Sequence, residues 1–171
     1  MKLLFENWRT YLNEEEEAEP CDEASDFLWH GSKTSGIEMF EPRQATDVGG
    51  NPDQNLKAVY ATHDKDFATH MGMTEPDEDG NYDVFGDHEK GQVVIIKGKI
   101  RHGQKTYLYK LPKHMFKPVR GNEQEWYSEV GMRPCEVIPL NVDDHLHLVR
   151  MATSEDQAYY DANIGKHGDE K

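Results

Sequence analysis

His30-Gly31-Ser32, Tyr60-Ala61-Thr62 and Glu123-Gln124-Glu125 are the groups in this chain whose residue types and settings could do chemistry. Each lies in or beside an apolar, strand-like run: FLWHGS from Phe27 to Ser32, AVYATHD from Ala58 to Asp64 and NEQEWYSE from Asn122 to Glu129. A polar side chain at the end of a buried strand needs a partner or a ligand. Three such strand ends point to a site.

The chemistry differs from group to group. His30 and Ser32 can hydrogen-bond ribose hydroxyls or an amide, and Gly31, lacking a Cβ, lets the backbone approach a flat ring. The plainer reading is a strand-ending turn in which His30 caps a backbone group. Tyr60 and Thr62 share one face of a strand, giving an aromatic plane for stacking with a hydroxyl close by, or else a core tyrosine with a satisfied hydroxyl. Glu123 and Glu125 share a face beside Trp126 and Tyr127. A carboxylate held there can stabilise an oxocarbenium-like centre, while solvated surface glutamates are the alternative.

The elements that must position these groups fit one domain plus tails, since 171 residues and 19.7 kDa leave little room for two domains. A hydrophobic fraction of 36% and a mean hydropathy of −0.90 imply a highly charged surface and some unpacked length. The formal charge of −14 argues against nucleic-acid and anionic-lipid partners for the folded body. No apolar run approaches the ~20 residues that span a bilayer, and secretion is not expected from Met1 to Glu14, which has no continuous apolar segment. Cys21 and Cys135 have neither finger nor CxxC spacing, so the expectation is two reduced thiols, with no zinc site and no disulfide scaffold.

Three regions follow: 1–25, 26–153 and 154–171. Leu4, Phe5, Trp8, Tyr11 and Leu12 recur at helical spacing, and an acidic run from Glu14 to Glu23 follows them. This reads as an amphipathic helix and a solvated linker, the helix being either a brace on the domain or a peptide for a partner's groove. In the body, the pattern predicts strands at Phe27–Trp29, Ile37–Phe40, Leu56–Thr62, Gln92–Ile100, Lys105–Leu111, Trp126–Val130, Cys135–Leu140 and Val142–Met151. A helix is expected over Asp64–Met71, loops over Glu41–Gln54 and Thr74–Gly91, and a terminal helix over Asp156–Ile164. The fold class is α+β, a mostly antiparallel split β core with a few short helices. A metal site from His63, Asp64 and His70 is a minor alternative.

The order WHGS, then YAT followed by a helix, then Glu before an aromatic pair resembles the ADP-ribosyltransferase superfamily in its His-Tyr-Glu version, over roughly Phe27 to Leu140. The resemblance implies a split antiparallel core and NAD as substrate. By motif position, His30 would contact a ribose, the Gly31 backbone would bind the nicotinamide amide, and Tyr60 would stack on nicotinamide. Ser32 and Thr62 would lie in the same pocket. Glu125, with Glu123 as second candidate, would stabilise the positive charge that develops as nicotinamide leaves, and a protein would accept the ADP-ribose. Glu123-Gln124-Glu125 is also similar to the acidic pair of the arginine-modifying branch, which opens with Arg where this chain has His30. The RNA 2′-phosphotransferases are a distant alternative, since Arg43, Arg101, Arg120 and Arg133 are scattered. Residues 1–14 resemble the capsid-targeting peptides of large tailed phages, and Leu12-Asn13-Glu14 matches their maturation cleavage pattern. That likeness implies a capsid or scaffold partner and a virion interior or host cytoplasm. Two further readings keep the fold: a non-enzymatic internal virion protein, and a bacterial toxin.

Overall fold

The structure, a computed structural model, describes Cys21 and residues 26–45, 54–87 and 89–163. The helix and linker expected in 1–25, Cys21 apart, lie outside the described residues, as does the tail beyond Asn163. The chain folds as α+β with mostly antiparallel sheets.

Seven strands form the main sheet: β1 (Phe27–Ser32), β2 (Arg43–Gln44), β3 (Lys57–Thr62), β8 (Lys105–Pro112), β9 (Lys117–Val119), β10 (Asn122–Ser128) and β11 (Glu136–Asn141). Their order is β11-β8-β1-β3-β10-β9, with β2 paired to β3. Alternation along β1, β3 and β8 sends Leu28, Val59, Ala61, Tyr109 and Leu111 to one face, where Phe40, Phe116 and Met132 complete a buried core.

The opposite face carries helix α1 (Lys65–Met71). Asp64 starts it, its carboxylate accepting from the amides of Asp66 and Phe67 at 2.9 and 3.0 Å, which satisfies two of the donors a helix leaves open. Ala68, Thr69 and His70 form its buried side. Gly31 of β1 is required by this packing, because a Cβ there would overlap the Ala68 carbonyl oxygen. The backbone approach that Gly31 permits is therefore made by α1.

A second core of Met73, Val93, Val142, Leu148 and Val149 lies under a three-stranded sheet of β5 (Asp83–Asp87), β6 (Gln92–Lys97) and β12 (Val149–Met151), where β12 runs parallel to β6. A short pair, β4 (Thr74–Glu75) and β7 (Lys99–Ile100), adjoins it. Helix α2 (Ser154–Asn163) closes the described chain, with Tyr159 and Tyr160 against Phe85. It is fixed by Arg150, whose guanidinium donates to both Asp156 and Asp87. Those bonds hold the Asp156 and Asp87 carboxyls below the usual carboxylate range.

Several expectations are corrected. The run Gln92–Ile100 is two strands, because Gly98 at φ +122° breaks it where a Cβ would come 2.9 Å from the Glu75 carbonyl oxygen. Thr74–Gly91 is not all loop but contains β4 and β5, the latter read as loop because its sequence DVFGD carries two acids and a glycine. Val142–Leu148 is a pair of 3-10 turns kinked at His145 rather than strand, and only Val149–Met151 pairs. Ile37–Phe40 supplies a single bridge, Phe40 to Met132, and β10 begins at Asn122 rather than Trp126. Cys21 and Cys135 are joined in a disulfide, with Cα atoms 5.6 Å apart, so the expectation of two reduced thiols is overturned. Spacing could not show this, since 114 residues separate the two.

Candidate functional site

The three polar groups lie on three neighbouring strands, β1, β3 and β10. One row crosses them: Trp29 is opposite Thr62, and Thr62 is opposite Glu125. Tyr60 is opposite Tyr127 two residues further along β3. Facing residues in a ladder share a side, so Tyr60, Thr62, Glu125 and Tyr127 all project toward the side that carries α1. His30 is one residue out of phase and starts from the other side, with Leu28.

What ties His30 to β3 is a parting of strands. β1 pairs with β8 along its whole length, but with β3 only at Trp29↔Thr62. Past that point a side chain replaces the ladder: His30 Nδ1 lies 2.7 Å from the Tyr60 carbonyl oxygen. A carbonyl only accepts, so Nδ1 carries the proton and donates. Burial lowers the His30 pKa against the raising effect of that bond, which favours the neutral ring. A neutral ring protonated at Nδ1 presents Nε2 as an acceptor, suited to a hydroxyl donor. Phe40 meets the ring edge-on with centroids 4.8 Å apart.

Glu125 is half-buried, and its Oε2 accepts from Gln54 Nε2 at 2.6 Å. Glu123, two residues earlier, is exposed. The Tyr60 phenol oxygen accepts from the Leu56 amide at 3.0 Å, bending the ring back along its own strand. Thr62 is buried, with Oγ1 accepting from the Asp64 amide at 3.0 Å, so its hydroxyl leads the chain into α1. Ser32 Oγ accepts from the Thr34 amide at 3.1 Å in a local turn. Sequence reasoning singled out His30, Tyr60, Thr62 and Glu125; the structure turns Tyr60, Thr62 and Glu125 to one side and ties His30 to the Tyr60 carbonyl, and adds Gln54 and Phe40, which were missed. Gln54 falls at the end of a stretch read as loop, and Phe40 in a run read as a strand with no polar signature to mark it.

Two depressions flank this row without including His30, Tyr60 or Glu125. One runs between α1 and the β5–β6 hairpin, lined in part by Asp64, Asp66, His70, Asp87, Gln92 and Gln124. The other is lined by Met39, Glu41, Pro42, Lys57, Glu129 and Gly131. Among the described residues no set of three or more His, Cys, Asp or Glu side chains is placed to hold a metal, so the alternative built on His63, Asp64 and His70 fails. His63 instead packs edge-on against Trp126, and His70 is 3% exposed inside the α1 packing. Arg101 is spent internally, donating to the Gly72 carbonyl at 2.6 Å. Among the described residues no helix is long and apolar enough to cross a membrane. No protein-family model, curated protein or solved structure matches the chain.

Proposed function

We propose that this chain is an NAD-dependent mono-ADP-ribosyltransferase of the His-Tyr-Glu type, with an ADP-ribosyltransferase-like split core, acting on a protein acceptor. The observation that carries the reading is the adjacency of β1, β3 and β10, which sets His30, Tyr60 and Glu125 on consecutive strands at the point where β1 and β3 part. In this reading the His30 imidazole accepts a ribose hydroxyl and Tyr60 offers its ring to nicotinamide. Glu125 faces the C1′–N bond. As that bond breaks, its electron pair leaves with neutral nicotinamide, and the carboxylate stabilises the positive charge left on the ribose. The acceptor's nucleophile bonds to C1′ and gives up its proton to solvent. Packaging in a phage head through residues 1–14 belongs to the same proposal and lies outside the described residues.

A second reading, a non-enzymatic virion component with this fold, is favoured by a specific observation. The polar groups of the row already have internal partners: His30 with Tyr60, the Tyr60 hydroxyl with Leu56, Thr62 with Asp64 and Glu125 with Gln54. Nicotinamide release from NAD by wild type and Glu125→Gln separates the two. The transferase reading expects release by wild type and a loss of about 100-fold or more in the variant. Equal rates, or none in either, favour the component.

A further inference from the structure

We infer that Gln54 is the positioning residue for the carboxylate of Glu125, and that the turn Gln54 to Leu56 is the clamp that sets the site. The inference rests on the transferase reading and deepens it.

The turn is tied at each of its three residues. Gln54 Nε2 donates to Glu125 Oε2 at 2.6 Å, across a separation of 71 residues. The Asn55 carbonyl accepts from Gln44 Nε2 at 2.6 Å, which fastens the turn to β2. The Leu56 amide donates to the Tyr60 phenol oxygen at 3.0 Å, and its carbonyl accepts from the Ala45 amide at 3.2 Å. Thus one short stretch holds two of the candidate side chains that face the α1 side, Tyr60 and Glu125, and is itself braced on β2.

The chemistry of Gln54 fits positioning. A carboxylate accepts and cannot donate, so the amide nitrogen of Gln54 must face it, and a bond to a charged acceptor is stronger than one between neutral groups. An amide does not titrate, so Gln54 takes no proton in the reaction. With Oε2 engaged, rotation about the carboxyl is fixed and Oε1 is the oxygen left for a substrate hydroxyl. Displacing a catalytic group by about 1 Å costs as much as 100-fold in rate. Losing the Gln54 bond therefore acts on turnover and spares NAD binding.

The test uses the full chain, with nicotinamide release measured at varied NAD and affinity measured by NAD titration. Gln54→Met, nearly the same length without a donor, is expected to lower kcat about 10-fold or more with KM and Kd for NAD within about 3-fold. Gln54→Asn keeps the amide but withdraws it by one methylene, and is expected to fall on the same side. In Glu125→Gln, adding Gln54→Met is expected to cost nothing further, because the group it positions is gone. Wild-type turnover with Gln54→Met within about 2-fold of it overturns the positioning role and leaves the transferase reading standing. A wild type that neither binds NAD nor releases nicotinamide overturns both.

Discussion

His30 Nδ1 donates to the main-chain carbonyl of Tyr60 at 2.7 Å, bridging the gap that opens between β1 and β3 after the single pair Trp29↔Thr62. An imidazole here does what a ladder amide would do elsewhere, while keeping its second nitrogen for another partner. Replacing His30 with Ala removes the hydrogen bond to the Tyr60 carbonyl and the ring that Phe40 packs against. The expected cost is about 1–3 kcal/mol, read as a shift in the urea midpoint with an unchanged slope.

Gly31 tests the packing of α1. A Cβ at that position overlaps a backbone oxygen of the helix, which cannot swing aside as a side chain would. Gly31→Ala is expected to lose about 3 kcal/mol or more, or to fail to fold. A variant as stable as wild type in thermal unfolding contradicts the seat of α1 on β1.

Stability should fall on acidification. Burial holds His70 at a pKa of about 4, below the ordinary 6.5, with the Asp66 carbonyl and the Asp64 charge pulling the other way. His30 is shifted in the same direction. The unfolded chain therefore binds protons that the folded chain refuses, and stability present above pH 6.5 is lost as pH falls toward about 4. For His70 the loss is up to roughly 3 kcal/mol. Denaturant unfolding at pH 7 and pH 4 measures it, and His70→Gln is expected to flatten the dependence.

The Cys21–Cys135 bridge closes most of the chain into one loop. Thiol titration under denaturing conditions is expected to find no free thiol before reduction and two after. Reduction is expected to lower stability by about 2–4 kcal/mol, in the range for disulfides. Two free thiols in freshly purified, unreduced protein would contradict the pairing.

The strands that carry the site were legible because their residues alternate or run apolar, as in FLW and AVYAT, and because Asp64 announces the helix after β3 as a cap. The second sheet was harder to read. β5 mixes Asp83, Gly86 and Asp87 with its apolar residues, and the acids make sense only once Lys97 and Arg150 are folded beside them. The 3-10 segment through Leu146 and Leu148 has a strand-like apolar spacing that tertiary packing against Met73 and Val93 overrides. Within the site, alternation correctly paired Tyr60 with Thr62, but the parting of β1 from β3 and the hold of Gln54 on Glu125 are long-range contacts with no local signature.

The most direct test of the account is an amide-resolved NMR titration of the full chain with NAD. The account predicts that the shifts gather on Gly31, Tyr60, Thr62 and Glu125 along the three adjoining strands, and that they weaken in His30→Ala. Saturating NAD that leaves those amides unmoved, or that moves only the groove between α1 and the β5–β6 hairpin, contradicts it.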